Sequence, residues 1–248
     1  MMSQKNREGK RTARERLREE LQRQKTAQRR GRALKMGLAC VLVLGVAAVA
    51  GVFLVNRGGG ESTESRSSAK PISMGSASAA SRLSIYEDFR CPACGQFENQ
   101  FSDTIRELAE AGELRTEYHL VTLIDSNMPG TGSKKAANAA YCAKDEGKFP
   151  EYHDVLYRNQ PQEQDDAFGK TSTLLGLAKK VPGLSGSSFT SCVEEGRHNS
   201  TVEESDKAFG ESGHQSTPTV LLDGEDIYGN QQEPLTPQRL KELVAGKN

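Results

Sequence analysis

Four cysteines lie beyond residue 90 of this 248-residue chain: Cys91, Cys94, Cys142 and Cys192. Cys91 and Cys94 form a Cys-x-x-Cys pair, and three chemistries compete for it. Structural zinc needs four ligands. Cys142 and Cys192 are too far apart to form a second knuckle, and no histidine neighbours the pair. A permanent Cys91–Cys94 staple would close a very short ring, worth about 2 kcal/mol against about 4 kcal/mol for a ring of roughly 50 residues. Reversible thiol–disulfide exchange is the better use of such a bond.

Exchange requires one attacking sulfur and one resolving sulfur. Cys91 falls at the expected N-cap of a helix, where unpaired N–H groups and the helix dipole favour a thiolate. Arg90 is expected to line the site and add positive charge. Pro92 and Ala93 separate the two cysteines. Pro92, in the first helical turn, gives up no needed hydrogen bond and presets the backbone. Cys94, one turn in, is expected to be shielded, able to attack only an adjacent mixed disulfide. Cys142 and Cys192 sit in partly apolar, helical contexts. We read them as a structural disulfide, with two buried free thiols or a secondary redox relay as alternatives. No metal and no cofactor is expected.

These residues need a frame. Leu83–Phe89 reads as a strand running into Cys91. Phe97, Phe101, Ile105 and Leu108 then recur at helical spacing, and Gly112 stops the helix. Leu114–Ile124 reads as a second strand, so strand, helix and strand form a βαβ unit with parallel strands. Pro71–Met74 is a candidate short first strand. Helices are expected over Lys134–Lys144, Pro150–Arg158, Asp166–Lys180, Ser187–Gly196 and Thr201–Ser212. A strand over Thr217–Leu222 follows, then a turn at Asp223-Gly224. A last helix spans Thr236–Ala245, with Pro237 near its first position. The order is βαβ, a helical insertion over roughly 130–212, then ββα.

Hydrophobic residues make up 35% and charged residues 27%, and the mean hydropathy is −0.64, which excludes a polytopic membrane protein. The net charge of zero conceals segregation: the first 56 residues carry 13 Lys and Arg against 4 Asp and Glu. No charge interrupts the apolar run between Lys35 and Arg57. We read 34–55 as a single transmembrane helix and 1–33 as a basic leader held in the cytoplasm by the positive-inside rule. Nucleic acid is not an expected partner. Residues 56–81 read as a flexible Gly/Ser-rich linker, and 82–248 as an extracytoplasmic domain of a single-pass cell-membrane protein. A cleaved signal peptide ending at Ala48-Val49-Ala50 is the rival for the apolar run.

Three segments carry a resemblance over nearly all of 82–245. They are Glu87-Asp88-Phe89-Arg90-Cys91-Pro92-Ala93-Cys94, the Ala-rich 136–141 with 149–157, and Gly213-His214-Gln215-Ser216-Thr217-Pro218-Thr219. The chain resembles the DsbA-like branch of the thioredoxin superfamily, and its layout is similar to anchored Gram-positive oxidoreductases. The resemblance implies an α/β thioredoxin fold with an inserted helical subdomain, and Cys91 and Cys94 as catalytic residues. It also implies a cis bond before Pro218, with Thr217 and Pro218 binding an extended substrate segment by strand addition. The implied activity is donation of a disulfide to cysteine-containing exported proteins, with reoxidation by a quinone-linked membrane partner. The alternatives are a reductase or isomerase, for example in cytochrome assembly, and a non-catalytic binding module or chaperone.

The chain departs from the family pattern in two places. Many relatives carry an acidic residue six positions before the first cysteine, buried beneath the disulfide, where it assists proton transfer; here that position is Ile85. No histidine stands between the cysteines. His119 and His153 read as packing or surface residues, and His214 as a candidate to line the proline loop.

Overall fold

Strict alternation of buried and part-exposed residues along two parallel strands builds the centre of the sheet. The chain is described by a computed structural model, which covers residues 70–230 and 232–246. The expected leader, transmembrane helix and first part of the linker, through residue 69, lie outside the described residues. Among the described residues no helix is long and apolar enough to cross a membrane.

The described residues form five strands, β1 (Ile72–Met74), β2 (Ser81–Glu87), β3 (Leu114–Leu120), β4 (Thr219–Leu222) and β5 (Glu225–Asp226), in the order β1-β3-β2-β4-β5. Only β2 and β3 pair in parallel. They are joined by α1 (Pro92–Glu110), which crosses one face of the sheet as a βαβ unit requires. Leu83, Ile85 and Glu87 of β2, with Leu114, Thr116, Tyr118 and Leu120 of β3, are buried. Helix α1 contributes Cys94, Phe97, Phe101, Ile105 and Leu108 to the same core. Full burial of each large apolar side chain contributes roughly 1.5–3 kcal/mol, which ties Cys94 to a rigid helix.

The helical insertion comprises α2 (Leu123–Asn127), α3 (Gly132–Asp145), α4 (Phe149–Arg158), a 3-10 turn (Ala167–Gly169), α5 (Thr171–Ala178), α6 (Ser187–Glu195) and α7 (Asn199–Ser212). Helix α3 is its centre. Ala136, Ala137, Ala139, Ala140 and Ala143 are fully buried, and their small side chains let α4, α6 and α7 approach closely. The chain returns through β4 and β5 and ends in α8 (Pro237–Ala245), capped by the Thr236 hydroxyl, which accepts from Arg239 N–H at 3.1 Å.

Three expectations need correction. The strand expected over Leu114–Ile124 ends at Leu120, and the chain turns into α2. Thr122 N–H donates to the Asp206 carboxylate at 2.6 Å, and Ile124 N–H donates to Asp88 at 2.8 Å. Those partners lie 84 and 36 positions away in sequence, so the local apolar run carries no trace of them. The linker expected over 56–81 also reaches into the fold: β1 pairs with β3, and buried Ser81 opens β2. The domain therefore starts before residue 82. The helix expected over Asp166–Lys180 is broken, because the Asp166 carboxylate turns back to accept from Thr131 and Gly132 N–H at 3.1 and 2.7 Å.

Candidate active site

The end of β2 and the start of α1 hold the two sulfurs in unlike environments. Cys91 is the N-cap of α1, with extended backbone angles, and Pro92 is the first helical residue. Cys91 keeps 6% of its surface and Cys94 none, while Pro92 and Ala93 between them are exposed. Both sulfurs are free thiols. The approach to Cys91 is fixed by its own N–H, which donates to the Asp88 carbonyl at 3.0 Å. Gln160 completes the hold: its amide donates to the Phe89 and Cys91 carbonyls at 2.9 and 2.8 Å.

From the far side, the loop before β4 brings Thr217 and Pro218 to the same sulfur. The Thr217–Pro218 bond is cis, and the Cys91 thiol donates to the Thr217 carbonyl at 3.3 Å. Both loop residues are half-buried, so part of each faces solvent beside Cys91.

The two thiols are pushed in opposite directions. A hydrogen bond from Cys94 favours the Cys91 thiolate; burial opposes it, and the Thr217 side chain and the N–H groups of Cys94 and Ala93 add support, leaving Cys91 at about 6. Burial raises Cys94 well above the ordinary thiol range, and its bond to Cys91 and the charges on Cys91 and Glu87 raise it further. One sulfur is thus favoured as a thiolate at neutral pH, and the other stays a thiol.

Arg90 does not play the part expected of it. Its side chain is fully buried and points into the helical insertion, where Nη1 lies 2.7 Å from Asp125 and 3.6 Å from Asp166. Nη2 donates to the Pro129 and Glu163 carbonyls at 3.3 and 2.9 Å. A guanidinium neutralised by two carboxylates adds no free charge to Cys91. It clamps the loops around the site.

The sequence reading missed a buried group below Cys94. Glu87, Glu98 and His153 are 1%, 3% and 3% exposed. His153 Nε2 lies 2.7 Å from Glu87, and Nδ1 lies 4.0 Å from Glu98. Burial opposes charge on His153, but the two carboxylates outweigh it and raise the imidazole to about 9. Burial likewise pushes Glu98 well above the usual carboxylate range. His119 instead stacks on Tyr86 at 4.3 Å, and burial lowers it to about 4. His214 stands 5.5 Å from the same ring, near the proline loop. Tyr228 packs edge-on against Phe97 at 5.1 Å, close enough for both active-site sulfurs to raise its pKa beyond the effect of burial.

Cys142 and Cys192 are joined by a disulfide between α3 and α6. Two sets of side chains among the described residues bring metal-binding atoms within 4.8 Å of one another: Cys142, Cys192 and His198, and Glu87, Glu98 and His153. In the first set both sulfurs are already bonded to each other. In the second, His153 Nε2 is hydrogen-bonded to Glu87 at 2.7 Å, while Nδ1 stands 4.0 Å from Glu98.

Comparison with known proteins agrees with this geometry. The thioredoxin family model matches residues 67–245. Among solved structures, DsbA of Mycobacterium tuberculosis is 29% identical, with a TM-score of 0.61, covering 71% of this chain and 91% of that one. The disulfide bond oxidoreductase DsbG of the same organism is 27% identical, with a TM-score of 0.62, covering 73% and 88%. The thiol-disulfide oxidoreductase MdbA of Actinomyces oris is 25% identical, with a TM-score of 0.58, covering 75% and 84%. A Mycobacterium tuberculosis protein named serine/threonine-protein kinase PknE is 24% identical over 177 residues, 68% of this chain but 31% of its own length. The chain therefore spans about a third of the curated relative it matches there. The chain belongs to the thioredoxin family, and the solved structures it resembles include thiol–disulfide oxidoreductases of the DsbA and DsbG type.

Proposed function

We propose that the chain is an extracytoplasmic thiol–disulfide oxidoreductase whose Cys91–Cys94 disulfide is passed to cysteine-containing exported proteins. A substrate thiolate attacks Cys91 and forms a mixed disulfide, and the electron pair of the broken bond goes to Cys94. A second substrate thiolate then displaces Cys91, which leaves as a thiolate. Thr217 and Pro218 bind the substrate segment beside Cys91, and the Cys142–Cys192 bond is structural.

The observation that carries this proposal is the opposite treatment of the two sulfurs: Cys91 is lowered to about 6, while Cys94 is sealed and raised. A stabilised thiolate stabilises the reduced pair and makes the disulfide the stronger oxidant. A value of about 6 falls between thioredoxin, at about 7, and DsbA, at about 3.5. That placement favours a donor of moderate strength. The apolar run at 34–55 would anchor the domain, and a quinone-linked membrane protein would reoxidise it.

Two measurements on the full-length chain test this. Cys94→Ala should trap mixed disulfides through Cys91, and recovery of none would remove the exchange mechanism. The reduction potential should lie between about −270 mV and about −120 mV, clearly above the thioredoxin end. A value at the lower end would make the protein an electron donor, the reductase alternative.

A further inference from the structure

Three buried side chains that take no part in exchange at Cys91 meet from three separate elements. They are Glu87 at the end of β2, Glu98 in the second turn of α1 and His153 in the middle of α4. One donor atom from each lies within 4.8 Å of the other two. Burying two carboxyl groups is costly unless positive charge or hydrogen-bond donors face their oxygens. Here three of the four oxygens find no donor: Oε2 of Glu87 and both oxygens of Glu98, a residue only 3% exposed. Such orphaned oxygens are rare and call for a physical reason.

The His153 ring is held on one side and open on the other. Nε2 is hydrogen-bonded to Glu87 Oε1 at 2.7 Å. Nδ1 lies 4.0 Å from Glu98 Oε2, too far for a hydrogen bond. A metal ion with bonds of about 2.0–2.2 Å to each atom spans such a gap. The held side already has what a metal-bound imidazole needs, a carboxylate that takes its other N–H and fixes its orientation. Charge also balances: a divalent cation, two carboxylates and a neutral imidazole sum to zero, as a buried site requires.

An ion can reach the trio from the surface. A cavity of about 20 Å³ is lined in part by His153, Asp154, Arg106, Tyr118 and Met74, which is room for roughly one water molecule. Met74, Arg106, Ala109 and Pro150 also border an open depression of about 440 Å³, so the cavity continues to solvent. The positive charge of Arg106 at this entrance is taken up by Asp154 at 2.5 Å.

We propose that Glu98 and His153, with Glu87 behind the imidazole, form a binding site for a divalent transition-metal ion of the zinc type. Glu98 and His153 Nδ1 bind the ion, Glu87 Oε1 accepts from Nε2–H, and water from the cavity fills the remaining positions. Imidazole nitrogen together with carboxylate oxygen suits zinc and its neighbours, whereas calcium and magnesium take oxygen ligands. Binding releases to solvent the protons that the trio holds without the ion. The bound ion joins α1, which carries Cys94, to α4 of the helical insertion and, through Glu87, to β2. It serves the fold and moves no electrons, since zinc has no redox chemistry. The site stands whether or not Cys91 and Cys94 exchange.

The test is zinc titration of the full-length Cys40→Ala chain with both remaining cysteine pairs oxidised, so that no thiolate competes. Calorimetry should show one zinc ion bound per chain, and the melting temperature should climb with free zinc. Glu87→Gln should weaken binding about 10–100-fold, as loss of an outer carboxylate does, and Glu98→Gln should weaken it further. Calcium at equal concentration should leave the melting temperature unchanged. Absence of stoichiometric zinc binding would overturn the site. So would equal affinity in Glu98→Gln, which would put the zinc on the surface, or an equal rise in melting temperature with calcium.

X-ray absorption at the zinc edge needs no change in the trio, so it keeps the test open even if Glu98→Gln fails to fold. The first shell should hold only nitrogen and oxygen at about 2.0–2.2 Å, with the outer scattering of a single imidazole. A sulfur neighbour, or no imidazole, would refute the assignment. His153→Gln should abolish the imidazole signal, and its persistence would move the ion to another histidine.

Discussion

The Thr217 carbonyl accepts from the Cys91 thiol at 3.3 Å across 126 positions of sequence. Two distant pieces of chain thus meet at the Cys91 sulfur, and its proton affinity is lowered chiefly by the Cys94 thiol. Alkylation of Cys91 should rise through a midpoint near pH 6 and level off above it. Cys94→Ala should move that midpoint upward, since the largest favourable contribution is lost. The folded value lies below that of an ordinary thiol, 9.0. The thiolate therefore stabilises the reduced fold fully above pH 9 and loses that effect as pH falls through 6. An alkylation midpoint near 9 would contradict this.

The Cys142–Cys192 bond closes a loop of sequence separation 50 between α3 and α6. Loop-closure entropy gives it up to about 4 kcal/mol. The double variant Cys142→Ala, Cys192→Ala should lower the urea midpoint accordingly while the Cys91 alkylation midpoint stays in place. A shifted Cys91 midpoint with unchanged stability would assign the second disulfide a redox role.

Arg90 precedes the nucleophile, yet its charge is absorbed by Asp125 and Asp166. Removing one partner of a buried ion pair costs about 3–5 kcal/mol. Arg90→Met should lose stability on that scale, and Arg90→Lys should not restore it, since an ammonium cannot span the carboxylates and two carbonyls as the planar fork does. Titration of Cys91 should hardly move in either variant. A raised Cys91 midpoint without loss of stability would return Arg90 to the electrostatics of the site.

The parts legible in sequence are those fixed by local periodicity and by short motifs. Phe97, Phe101, Ile105 and Leu108 mark the buried face of α1, and alternation marks β2. Cys91 as an N-cap follows from Pro92 and the strand before it. The missed features depend on distant partners. Asp206 and Asp88 end β3 early through Thr122 and Ile124. His153 looked ordinary because its meaning comes from Glu87, 66 positions upstream. Arg90 was misjudged for the same reason: adjacency in sequence to Cys91 says nothing of where a long side chain turns. One signal was present, however. An acidic residue inside the buried face of an amphipathic helix, as Glu98 is between Phe97 and Phe101, calls for a partner.

Gln160 bridges the Phe89 and Cys91 carbonyls, and it can do so only because residue 95 has no side chain. A Cβ on Gly95 would stand 2.3 Å from Gln160 Oε1. Gly95→Ala should therefore expel the Gln160 amide and break two hydrogen bonds, each worth about 0.5–1.5 kcal/mol. Gln160→Ala breaks the same two bonds by another means. Each single variant should lose a similar amount of stability and exchange more slowly, because the carbonyls flanking the nucleophile lose their tether. The double variant should be little worse than either, since both act through one contact. Additive losses in urea unfolding would show that Gly95 matters for helix packing instead, and that the amide bridge does not hold Cys91 in place.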